Sequence, residues 1–175
     1  RLGLEQAGFR CMGHCEIDKY ANKSYQAMHH PKEDEWFAED ISKVSADSIP
    51  DVDLWTGGFP CQDSSLSGKR CGIHGSRTGL FFEFTRLLRE RGEYKPRWLV
   101  LENVKGLFSV GGTWDFAEVL FELAALGYGV EYALLNSSAF GVPQNRERIY
   151  IVGDLTARST GKILSFRAAD GEALN

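Results

Sequence analysis

Apolar runs of strand length alternate with amphipathic stretches of helical period along most of this 175-residue chain, and that alternation limits the possible folds most. Asp53-Leu54-Trp55-Thr56 reads as a buried strand. Gly79-Leu80 opens a helix through about Arg91, with Phe81, Phe84, Leu87 and Leu88 on its apolar face. Trp98 to Leu101 reads as a strand, Thr113 to Leu126 as a second helix stopped by Gly127, and Tyr132 to Leu135 and Ile149 to Val152 as two further strands. Upstream, Arg1 to Gly8 reads as a helix already under way, residues 9–15 as a strand and 18–29 as a helix; the short apolar piece Trp36-Phe37 precedes Asp40-Ile41. The expectation is an α/β, Rossmann-like domain: a mostly parallel sheet with helices on both faces, binding ligands beyond the carboxyl ends of its strands.

The chemistry-bearing residues fall at those ends. Gly57-Gly58-Phe59-Pro60-Cys61-Gln62 sets a cysteine directly after a proline, in a tight polar turn that a strand delivers to the open. A thiol there suits nucleophilic catalysis better than burial as a small hydrophobe, the ordinary reading for Cys11 and Cys15. Glu102 ends the next strand, where desolvation would favour a protonated donor; capping of the following segment is the plainer alternative. Glu16 follows a strand, in the position where an acid bonds ribose hydroxyls, while Asp18 reads as a helix cap. Asp40 suits either an adenine amino group or a turn. Arg146 and Arg148 alternate onto one face before Ile149, as an anion or base-carbonyl clamp or as a surface salt-bridge edge. The loop 57–79 is long enough to suggest function.

Composition bounds the rest. With 43% hydrophobic and 25% charged residues the chain can build a core without staples, and its four cysteines show no zinc-ligand spacing. No apolar run is long enough to span a bilayer and no signal peptide is evident, so a cytoplasmic protein with reduced thiols is expected. The net charge of −4 advertises no nucleic-acid partner globally. Locally, residues 31–53 hold eight acids against two lysines, whereas residues 54–100 hold eight Lys/Arg against four acids. The sign changes near the Pro-Cys turn.

Three ordered motifs carry a resemblance. Gly-Phe-Pro-Cys61-Gln-Asp-Ser-Ser65, Glu102-Asn103-Val104 and Gln144-Asn145-Arg146-Glu147-Arg148 are similar to the catalytic motifs of the cytosine-5 DNA methyltransferases of bacterial and phage modification systems. The fold implied is that of the S-adenosylmethionine-dependent methyltransferases. The resemblance implies that Cys61 attacks C6 of a flipped cytosine, that Glu102 binds its N3 edge and amino group, and that Arg148, helped by Arg146, holds O2. It further implies that Glu16, Ile17, Asp40, Ile41, Pro60 and Leu80 bind S-adenosylmethionine, which leaves as S-adenosylhomocysteine. Gln62, Ser65 and Asn103, with Lys69 and Arg70 toward phosphates, would contact the DNA, and no metal is implied.

The partners implied are double-stranded DNA and a cognate restriction endonuclease. Residues 1–153 would form the catalytic domain and 154–175 the start of a segment leading to a target-recognition domain. The family's first strand and glycine motif would precede Arg1, and Ile17 stands where an aromatic is frequent. A tRNA-directed relative with the same motifs, a non-catalytic regulatory relative and a dinucleotide oxidoreductase are the alternatives; the last needs a glycine-rich loop that the chain lacks and leaves Cys61 without a role.

Overall fold

The computed structural model describes residues 1–60, 79–108, 114–156, 161 and 163–164, and divides into two units, Arg1–Val52 and Asp53–Asn175. In the first unit, helix α1 (Leu2–Gln6) ends before Gly8, whose φ of +90° is the left-handed turn that glycine adopts freely. Strand β1 (Gly13–Cys15) pairs in parallel with β2 (Trp36–Ala38), and helix α2 (Lys19–His29) connects them. The cap predicted for α2 is present: Asp18 accepts from the N–H groups of Tyr20 and Ala21, both at 2.8 Å.

This unit relies on polar contacts as much as on apolar ones. No residue of α2 is buried. Arg1 reaches Glu35 at 2.8 Å and the Tyr25 hydroxyl at 2.8 Å. The Tyr25 ring stacks on His14 with centroids 3.9 Å apart, and burial pushes its phenol up to about 12. Residues 9–12, read as part of the strand, lie outside β1; the Cys11 thiol sits 3.5 Å from the Tyr25 hydroxyl.

In the second unit, a four-stranded sheet runs in the order β3 (Leu54–Gly58), β4 (Trp98–Val104), β6 (Glu147–Asp154), β5 (Gly129–Asn136). Helix α3 (Gly79–Arg91) makes the crossover from β3 to its parallel neighbour β4, as a parallel pair requires. Helix α4 (Trp114–Ala125) carries the chain on to β5. Strands β3, β4 and β5 share one direction; β6 runs against both β4 and β5. The parallel reading therefore holds for the strands joined by helices. The reversed strand follows from its short connection, residues 137–146, which has no room for a crossover helix.

One face of this sheet is the core. Leu99, Leu101, Ile149 and Ile151 pack with Phe81 and Leu88 of α3 and with Val119 and Leu123 of α4, none more than 1% exposed. Each such side chain contributes about 1.5–3 kcal/mol by leaving water. Helices α3 and α4 both cover this face, so the alternation along β4 presents Glu102 on the other. Helix α4 ends as its sequence signals: Gly127 has φ +93°, and the Tyr128 N–H returns to the Leu123 carbonyl at 3.1 Å.

Candidate active site at the carboxyl ends of the strands

In the first unit, Glu16 directly follows β1 and Asp40 lies two residues beyond β2. Because those strands are parallel, both acids stand at the same edge. The Glu16 main chain is fixed twice. Its N–H donates to the Ala38 carbonyl at 3.1 Å, and its carbonyl accepts from Asn22 Nδ2 at 2.6 Å. Oε1 accepts from the Asp18 N–H at 2.8 Å. Asp40 begins a 3-10 turn, Ile41–Lys43, and accepts from the Ser42 hydroxyl at 2.7 Å and the Ser42 N–H at 3.0 Å. Those bonds, with Lys43 at 3.3 Å, hold its carboxyl below the usual carboxylate range.

The Cys15 thiol reports the same neighbourhood. Burial raises it first, then the charges of Asp40 and Glu16, all of which favour the thiol over the thiolate. Ile17 is 72% exposed beside Glu16. Two acids and an open apolar side chain at one parallel-strand edge fit a nucleoside, with hydroxyls for a carboxylate and a base for an aliphatic surface. The residues that would hold S-adenosylmethionine in this unit thus suit the group.

In the second unit, the core of the site is an ion pair. Arg148 Nε lies 2.8 Å from Glu102 Oε1, with the arginine side chain 21% and the glutamate 37% exposed. Their strands set the contact, since Glu102 pairs with Tyr150 and Val104 with Arg148 on one face of the β4–β6 ladder. Arg148 Nη1 donates to the Glu147 carbonyl at 2.8 Å, which leaves Nη2 and Glu102 Oε2 without a hydrogen-bond partner among the described residues. A donor and an acceptor are therefore offered side by side. Glu102 is held open by its arginine and not shut in hydrocarbon, the surroundings its strand-end position suggests.

Gly58 sits beneath Glu102; a Cβ there would stand 3.4 Å from Oε2. Beside the pair opens a cavity of about 270 Å³, lined by Leu135, Ser137, Phe140, Arg146, Arg148 and Tyr150. Glu147 points away and binds Lys105 at 2.9 Å, so the side chains of Arg146 and Arg148 share the cavity side as alternation implies. Tyr150, Phe140 and Ser137 are lining residues that the motif reading passed over; Tyr150 was detectable as the next in-phase position after Arg148.

Asn103 is not brought to this face. It is buried on the core side, 3% exposed, with both polar ends bonded. Pro60 and Leu80 are half-buried in this unit. Cys61, Gln62, Ser65, Lys69 and Arg70, and most of the loop 57–79, lie outside the described residues. No group of His, Cys, Asp and Glu able to hold a metal occurs among the described residues, and no described helix is long and apolar enough to cross a membrane.

This arrangement of sheet and helices is a methyltransferase fold. It matches the Dnmt2 methyltransferase of S. pombe with a TM-score of 0.62 at 23% identity, over 83% of this chain and 42% of that one. It also matches a putative DNA modification methyltransferase encoded within an E. coli prophage, with a TM-score of 0.65 at 21% identity over 87% and 42%. Residues 1–170 match the family model of the C-5 cytosine-specific DNA methylases, and the chain belongs to that family. It is 44% identical over 154 residues to the orphan methyltransferase M.Rho11sI of Bacillus phage rho11s, covering 87% of this chain and 29% of the relative. It is 40% identical over 153 residues to the type II methyltransferase M.BsuFI of Bacillus subtilis, covering 87% and 36%. The chain spans about a third of the length of these two relatives.

Proposed function

We propose that this chain carries the catalytic face of an enzyme that methylates C5 of cytosine in double-stranded DNA, with S-adenosylmethionine as the methyl donor and residues 1–153 as the catalytic region. The observation that carries the reading is the Glu102–Arg148 pair, one oxygen and one nitrogen left open, beside a cavity of about 270 Å³ at the end of the strand next to the one that leads to Pro60-Cys61.

The chemistry follows from the base. A cytosine offers an amino donor, a ring acceptor and a carbonyl acceptor along one edge, all engaged in base pairing within a duplex, so the base must be swung out. Glu102 Oε2 accepts from the amino group and Arg148 Nη2 donates to O2, with Arg146 at the rim. Glu102, once protonated, supplies the ring nitrogen with a proton as charge develops. Cys61, as thiolate, adds to C6 and turns the C5–C6 double bond into an electron-rich enamine. When bound, S-adenosylmethionine supplies an electrophilic methyl group on a sulfonium sulfur. Loss of the C5 proton to water, with return of the ring-nitrogen proton to Glu102, then restores the double bond and expels the Cys61 thiolate, so the enzyme is regenerated. Glu16 would hold the cofactor's ribose and Asp40 and Ile41 its adenine, with Ile17, Pro60 and Leu80 in contact.

Basic residues of the loop, Lys69 and Arg70, would meet phosphates, with Gln62 and Ser65 near the flipped nucleotide. A cognate restriction endonuclease is a fitting companion for such an enzyme. The test is the Cys61→Ser variant of the full-length protein with tritiated cofactor. Wild type should label duplex DNA and leave tRNA unlabelled. The variant, nearly isosteric, should fold and label neither. A variant that still labels DNA would remove Cys61 from the mechanism, and labelling of tRNA alone would change the substrate.

A further inference from the structure

Asn103 is a polar side chain in an apolar row. It follows Leu99 and Leu101 on the face of β4 that packs against α3 and α4, opposite Glu102. A buried amide is tolerated only when its polar ends are bonded, and here both are. Nδ2 donates to the Phe59 carbonyl at 3.0 Å, and Oδ1 accepts from the Val104 N–H at 2.8 Å.

The place of the first bond gives it meaning. The β3–β4 ladder ends at the pair Gly58 and Glu102. Phe59 and Asn103 come next on the two strands, so the amide continues the link where main-chain pairing stops. The Phe59 ring is held separately, 5.0 Å from the Phe81 ring. Only Pro60 separates the anchored carbonyl from residue 61 in the sequence, and its ring locks its own φ.

We propose that Asn103 is a positioning residue for methyl transfer, fixing through the Phe59 carbonyl the main chain that presents Cys61. The proposal rests on the reading of Cys61 as the nucleophile. An apolar side chain would fill a similar volume but leave the Phe59 carbonyl and the Val104 N–H without their partner, so the test must separate a loss of stability from a loss at the chemical step.

Two variants of the full-length protein test it, Asn103→Leu and Asn103→Asp, by single-turnover transfer of tritiated methyl to duplex DNA. In Asn103→Leu the transfer rate should fall about 10- to 100-fold, since small misplacements of a reacting group cost that much. Affinity for S-adenosylmethionine should stay within about threefold, because the loss falls on the chemical step. In Asn103→Asp a carboxylate faces the Phe59 carbonyl at neutral pH, and the rate should be low. Burial raises the pKa of such an acid. As pH falls the protonated group can again donate to Phe59 and accept from Val104, so the rate relative to wild type should rise.

A purely structural role would lower the unfolding midpoint and leave that ratio flat with pH. A flat ratio overturns the proposal, as does an Asn103→Leu enzyme that transfers methyl within about twofold of wild type. If Asn103→Leu does not fold, the Asn103→Asp ratio decides. Wild-type protein that forms no covalent adduct with a 5-fluorocytosine duplex would instead overturn the role of Cys61, a separate result.

Discussion

Glu102 and Arg148 neutralise one another, and each keeps one hydrogen-bonding atom for a ligand. Replacing Glu102 by Gln keeps the size and an acceptor but removes both the charge that holds Arg148 and the capacity to give a proton. Under the proposed mechanism, kcat should fall about 100-fold or more, the usual cost of losing a positioned acid or charge stabiliser. Stopped single-turnover assays on duplex DNA would measure it; a change below threefold would exclude proton donation by this residue. At this scale the sequence spoke clearly about Arg146 and Arg148, because alternation alone puts them in phase. The same rule applied to Glu102 and Asn103 separates them onto opposite faces, although motif adjacency suggests a shared role at the substrate. The bond from Asn103 to Phe59 joins residues far apart in sequence, and no local pattern announces it.

At the scale of elements, helix α3 appears where its periodicity puts it, Gly79 to Arg91, because a full apolar face over three turns leaves little choice. The strands were read short: β5 begins at Gly129 and β6 at Glu147, whose polar residues pair in the ladder without alternating burial at their ends. Tyr128 is the element-scale detail hidden from pattern. It is 3% exposed just past α4, and its hydroxyl donates to the Pro96 carbonyl at 2.7 Å, tying the end of that helix to the entry of β4. Burial raises this phenol, so the hydrogen-bonding form persists at physiological pH. Tyr128→Phe keeps the ring and leaves the carbonyl without its partner. It should cost about 1–3 kcal/mol, read as a lower urea midpoint at unchanged slope. An unchanged midpoint would mean that water replaces the hydroxyl without loss.

For the whole molecule, the family assignment covers residues 1–170, and the candidate site residues divide between the two units. The acids Glu16 and Asp40 share an edge in the first, and Arg148, paired with Glu102, lines the cavity in the second. The net charge of −4 gives no general attraction to a polyanion, so under the proposed function contact with DNA would come from local groups such as Arg146 and the basic residues that follow Cys61 in the sequence. On the proposed mechanism, Cys61 forms a covalent bond to a base outside its helix. The direct measurement is denaturing electrophoresis of full-length protein incubated with S-adenosylmethionine and a duplex carrying 5-fluorocytosine at its target. Fluorine cannot leave as the C5 proton does, so the wild-type protein should be trapped in a stable adduct and Cys61→Ser should form none. An active wild-type enzyme that leaves the fluorinated duplex free, or an adduct surviving the serine substitution, would contradict the account.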